Sequence, residues 1–131
     1  MLKFTYTENS FNLEHLARSL EELVTGRTIV AMRVGQRLVV EPTQASFLLP
    51  ANLPGLENLE AEALRDESET IAVCIADAEY VEVSLRGTWL AADSEADEGV
   101  FVTSLRDRAE FYILKCWQEA RSGVSLLEEV D

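Results

Sequence analysis

The sequence predicts an α+β fold: an antiparallel sheet of about six to seven strands with two long helices and one short helix packed on it. Three observations carry this. Short runs of alternating apolar residues follow one another across short turns. Two longer stretches repeat apolar residues at helical spacing. Residues 70–91, TIAVCIADAEYVEVSLRGTWLA, read as a hairpin about which the rest is arranged.

In the hairpin's first strand Ile71, Val73 and Ile75 alternate with Ala72, Cys74 and Ala76, so both faces are small or apolar. That pattern predicts a strand buried on both sides. Asp77 and Glu79 bracket a polar connection. In the second strand Val81, Val83 and Leu85 take one face and Tyr80, Glu82, Ser84 and Arg86 the other, the alternation of a half-buried antiparallel strand. Gly87, just before Thr88 and Trp89, marks a bulge or a close backbone approach.

From the N-terminus, Leu2, Phe4 and Tyr6 alternate in a first strand, expected at a sheet edge. Asn9, Ser10 and Asn12 offer N-caps for a helix to about Thr25, with Leu13, Leu16, Ala17, Leu20, Leu23 and Val24 on one stripe and Gly26 as its stop. Residues 28–34 are rich in β-branched side chains and read as a strand. Gly35-Gln36 reads as a type II′ turn into a strand over 37–41, which Pro42 ends. Residues 45–49 form another short strand. Leu56, Leu59 and Ala63 mark a short helix within 53–65. Residues 92–98 are an acidic loop and 99–103 a last strand. Ser104 and Asp107 resemble a capping box for a helix to about Arg121, with Leu105, Ala109, Tyr112, Ile113, Cys116, Trp117 and Ala120 on its core stripe and Gly123 as its stop. The whole, 1–131, is expected as one domain, with 124–131 as a tail.

Composition narrows function. The 131 residues carry 24 acidic and 11 basic side chains, a formal charge of −13. That field repels phosphate backbones and disfavours direct nucleic-acid binding. No apolar run approaches the roughly 20 residues of a membrane helix, and residues 1–10 lack a signal-peptide pattern, so a cytoplasmic protein is expected. Cys74 and Cys116 form no CxxC and read as reduced core residues. There is no Walker loop, GxGxxG or GxSxG. One histidine leaves no partner for a histidine triad or a two-histidine zinc site. Asp93, Glu95 and Asp97 only faintly echo a calcium loop, since the glycine falls one place late.

Phe111 and Leu114 lie opposite the core stripe of the last helix. Either Leu126 and Leu127 of the tail fold back over them, or the four residues serve a subunit or ligand surface. The leading expectation is therefore a non-catalytic, acidic protein-interaction module, homodimeric or with a protein partner. His15, beside Arg18, Ser19 and Glu22, reads as a surface histidine, or as an axial haem ligand presented by a helix.

The stretches LKFTYTENSFNLEHL, VGQRLVVEP, SFLLPANLPGL and AEYVEVSLRGTW span most of the chain. In them the sequence resembles a small uncharacterised protein family of cyanobacteria, remotely compared with haem-binding and haem-utilisation proteins. The resemblance implies haem, or another tetrapyrrole, as the alternative ligand. His15 would be its natural ligand, with Arg86, Arg106 or Arg108 as propionate partners.

Overall fold

The computed structural model describes residues 1–7, 10–66, 69–92 and 98–130, with side chains described as far as Arg121. The element order is β1 (Leu2–Tyr6), β2 (Phe11–His15), α1 (Leu20–Arg33), β3 (Val39–Pro50), α2 (Leu56–Leu64), β4 (Ile71–Ile75), β5 (Tyr80–Ala91), β6 (Gly99–Thr103) and α3 (Asp107–Val130). The strands form a six-stranded sheet in the order β2-β1-β6-β5-β3, with β4 paired to β5 off that path. The α+β class stands, and the antiparallel pairing with it. The chain divides into two compact units, Met1–Ala45 with Arg86–Ser104, and Ser46–Leu85 with Leu105–Asp131.

In the first unit, alternation sorts side chains onto two sheet faces. Phe4 on β1 is in register with Phe101 on β6, and Phe101 with Trp89 on β5. Phe4 and Phe101 meet edge to face at 5.5 Å and both are fully buried. Tyr6 joins the same face against Phe11 and Trp89, at 5.4 and 5.8 Å. Such offset and edge-on pairs add about 0.5–1.5 kcal/mol each beyond burial. The opposite face presents Leu90, Val100 and Val102 to Leu23 of α1. Gly87 has no room for a side chain: a Cβ there would run into the Val102 carbonyl and lie 2.8 Å from the Phe101 ring. The close approach expected at this glycine is present.

In the second unit, Val81, Val83 and Leu85 of β5 are buried as their alternation requires. Ala109, Ile113, Cys116 and Trp117 of α3 and Leu56 and Leu59 of α2 are buried too. Asp77 accepts the Glu79 and Tyr80 N–H groups at 2.7 and 2.9 Å, which turns β4 into β5. Asp66 accepts from Thr70 and Ile71 and fixes the start of β4. The Glu110 carboxylate takes the Leu105 N–H at 2.8 Å just ahead of α3.

The N-terminal third departs from expectation. Residues 11–15 are a strand, because Phe11, Leu13 and His15 alternate opposite Tyr6, Phe4 and Leu2. β1 therefore lies inside the sheet, not at its edge. The helix starts later, at Leu20, capped by the Ser19 side chain, which accepts the Glu22 N–H at 3.2 Å. It runs through Gly26 and through the β-branched Thr28, Ile29 and Val30. The Thr28 hydroxyl bonds back to the Val24 carbonyl at 2.7 Å, which uses its polar group inside the helix. No hairpin turn forms at Gly35-Gln36. Gly35, at φ 74°, donates to Met32, and Gln36 donates to Ala31, the paired bonds of a glycine-ended helix. The two strands expected over 37–49 are one, β3. Pro42 does not end it, because an edge strand tolerates a missing N–H.

Two further corrections concern the remainder. β4 is not buried on both sides: Ala72 and Cys74 are exposed and Ile75 is 85% exposed, since β4 is hydrogen-bonded to β5 alone among the described residues. α3 does not stop at Gly123 but continues to Val130.

Two glycines make opposite predictions. Gly87→Ala should lower the unfolding free energy by about 1–3 kcal/mol through overpacking. Gly26→Ala, where a Cβ meets nothing within 4 Å, should raise it by about 0.5–1 kcal/mol. Denaturant titration of the two variants measures both; equal effects would contradict the packing described.

Candidate functional site

The residues expected to carry function fall in both units. His15 is exposed on β2, opposite Leu2, and so is presented by a strand rather than a helix. Arg86 is exposed on β5, and its carbonyl accepts the Thr103 hydroxyl at 2.8 Å. Arg106 and Arg108 belong to the second unit. Arg106 is held there: its guanidinium donates to the Glu62 carboxylate at 2.8 Å and to the Glu62 carbonyl at 3.3 Å. Arg65 completes the clamp at 3.3 Å. Glu62 is only 4% exposed, so this ion pair ties α2 to the start of α3. The Arg106 and Arg65 side chains are 54% and 61% exposed, so solvent screens the pair and it contributes less than a fully buried one.

Phe111 is 59% exposed and meets Tyr112 edge to face at 5.3 Å, whereas Leu114 is half-buried. The side chains of Leu126 and Leu127 lie outside the described residues, as do Asn9 and the acidic Asp93, Glu95 and Asp97. The Phe111 reading thus meets an exposed ring.

A second apolar surface of the same unit was not expected. Leu64 at the end of α2 is 90% exposed, and Ile75 at the end of β4 is 85% exposed. Between them an apolar hollow of about 390 Å³ is lined by Ala63, Leu64, Ile71, Val73, Ile75 and Val81, with Glu60 at its rim. The open edge of β4 runs along it. Edge strands are ordinarily blunted by lysine, proline or a bulge. Residues 71–75, Ile-Ala-Val-Cys-Ile, carry none of the first two and no charge at all. The signal was present in the sequence. Leu64 falls off the Leu56/Leu59/Ala63 face, and the five residues of β4 read almost the same in both directions.

The two thiols differ sharply. Cys116 is fully buried, and burial pushes its thiol up to about 11, with the Glu119 carboxylate adding and Lys115 opposing. Cys74, expected in the core, is exposed because β4 is a sheet edge.

A protein-family model described as Alr0857-like matches residues 1–121. The chain belongs to the Alr0857-like family. That description names no activity. The comparison with curated proteins gives no match, and neither does that with solved structures. Among the described residues, no helix is long and apolar enough to cross a membrane.

Thiol titration checks the contrast between the cysteines. With an aromatic disulfide reagent at pH 8, Cys74 should react within seconds to minutes, and Cys116 only on unfolding, since the thiolate is the reactive form. The folded state keeps the Cys116 thiol protonated above its ordinary 9.0. The stability it contributes is therefore complete below pH 9 and lost as pH rises through about 11. A Cys116→Ala variant should lose that alkaline step while Cys74→Ala keeps it.

Proposed function

We propose that the protein is a non-catalytic interaction module of the cytoplasm that acts as a homodimer, with the open edge of β4 as its contact. The carrying observation is the charge-free, nearly palindromic edge strand, set beside the exposed Leu64 and Ile75. A two-fold interface must match a surface to itself. Antiparallel pairing of β4 with a second copy about Val73 does so: Ile71 faces Ile75, Ala72 faces Cys74, and Val73 faces its own copy. Main-chain hydrogen bonds across the new ladder supply affinity, as in other strand additions. The hollow beside the edge accommodates apolar side chains from the second copy.

Two features support a non-catalytic reading. The buried thiol is held in its unreactive form, and the one histidine is an exposed strand residue. Phe111, on the exposed side of α3, supports a contact surface by the same logic. The cyanobacterial resemblance adds a second proposal, haem bound at His15.

Light scattering coupled to size exclusion tests the dimer. The unaltered chain should run at twice its monomer mass and Val73→Lys as a folded monomer by circular dichroism. An A72C variant should form a covalent dimer on mild oxidation, since its new thiol faces Cys74 of the second copy within disulfide reach. A monomeric unaltered chain sinks the proposal. If Phe111→Glu dissociates the dimer and Val73→Lys does not, the contact lies on α3 instead.

A further inference from the structure

The first unit holds a groove of a different kind. Along the N-terminal half of α1, Leu23 packs onto the sheet. Toward the helix end, Val30 is 61% and Val34 66% exposed, and both line a groove of about 640 Å³ together with Leu38 and Leu90. Small-molecule sites commonly measure about 300–1,000 Å³. The floor is aliphatic. Among the described residues, no phenylalanine, tyrosine or tryptophan lines the groove; Tyr6, Trp89 and Phe101 share the other sheet face with Phe4 and Phe11.

The rim is the unexpected part. Among the described residues, Lys3, Arg18, Arg27 and Arg37 line the groove, with Glu98 as the carboxylate. The chain as a whole has more than twice as many acids as bases. The described lining residues invert that balance, and their cations come from β1, the β2–α1 connection, α1 and the segment before β3. Lys3 is also paired across the strands with Glu14 at 3.2 Å, which leaves the three arginines as the main unassigned cations of the rim.

We infer that this groove binds an aliphatic carboxylate, with the chain on the Leu23/Val30/Leu38/Leu90 floor and the head group among Arg18, Arg27 and Arg37. Guanidinium groups take planar carboxylates in a two-pronged way. An aliphatic wall without rings selects a flexible chain over a planar aromatic ligand. The surrounding negative field opposes any anion at long range, so an anion reaches this protein only where the sign is locally reversed. The site lies within the first unit and shares no residue with the β4 edge. Its failure and the failure of self-association are therefore separate results.

The test is calorimetric titration of the full chain with sodium dodecanoate below its micelle concentration, beside dodecanol and dodecyl phosphate. Dodecanoate should bind at one per chain, and dodecanol about tenfold or more weaker, because the charge-assisted hydrogen bonds are lost. Arg27→Gln and Arg37→Gln, each checked for folding by circular dichroism, should weaken dodecanoate by about tenfold and leave dodecanol unchanged. Arg37 is exposed ahead of β3, so its replacement keeps the fold. Equal binding of dodecanoate and dodecanol, or arginine variants that bind as the unaltered chain does, would overturn the inference. So would a preference for dodecyl phosphate over dodecanoate.

Discussion

The sheet depends on one close approach. At Gly87 the backbone of β5 lies so near β6 that a single added carbon would collide with the Val102 carbonyl and the Phe101 ring. Before this point residues 81–85 of β5 are bonded to β4; after it, residues 88–90 are bonded to β6. A strand that changes partner midway needs a residue free of side-chain bulk at the change. Phe101 packs over that residue and against Phe4, so the aromatic face of the first unit and the change of partner are one constraint.

How much of this was legible follows from which patterns had one reading. Val81, Val83 and Leu85 alternate with polar neighbours, and the α3 stripe from Ala109 to Trp117 recurs at helical spacing; both stand as written. The N-terminal third had two readings. The apolar positions from Leu13 to Val24 fit a helix of period 3.6, and Phe11 and Leu13 also fit a strand. The strand wins because β1 offers a ready ladder, with the Thr7 N–H donating to the Ser10 carbonyl between them. The true helix start was written locally, in Ser19 and Glu22 three apart, the spacing of a capping box. Its end was written in Gly35, the glycine whose positive φ lets two carbonyls find donors. Gly26 and Gly35 are the same letter. Only the tertiary setting makes one a helix interior and the other a stop.

The candidate surfaces were less legible, for a reason of geometry. Apolar residues on both faces of β4 imply two covering layers only when the strand is central. At an edge the same residues leave an apolar face exposed, and edge position is a property of the whole topology. The groove of the first unit is harder still. Its cations are spread over 35 positions, from Lys3 to Arg37, and no window of sequence shows them together. Phe111 was readable because a helix displays its two faces within four residues.

Charge connects these surfaces. With a net −13, two copies repel at every orientation that brings acidic faces together, the more so at low salt. The proposed β4 contact meets this constraint, since residues 71–75 carry no charge. The proposed anion site meets it in the other way, since cations outnumber carboxylates among the described residues of the α1 groove. The acidity that looks like simple solubility thus also acts as a filter. Of the two contacts proposed, one is neutral and self-matching and the other cationic and aliphatic, each confined to a separate unit of the chain.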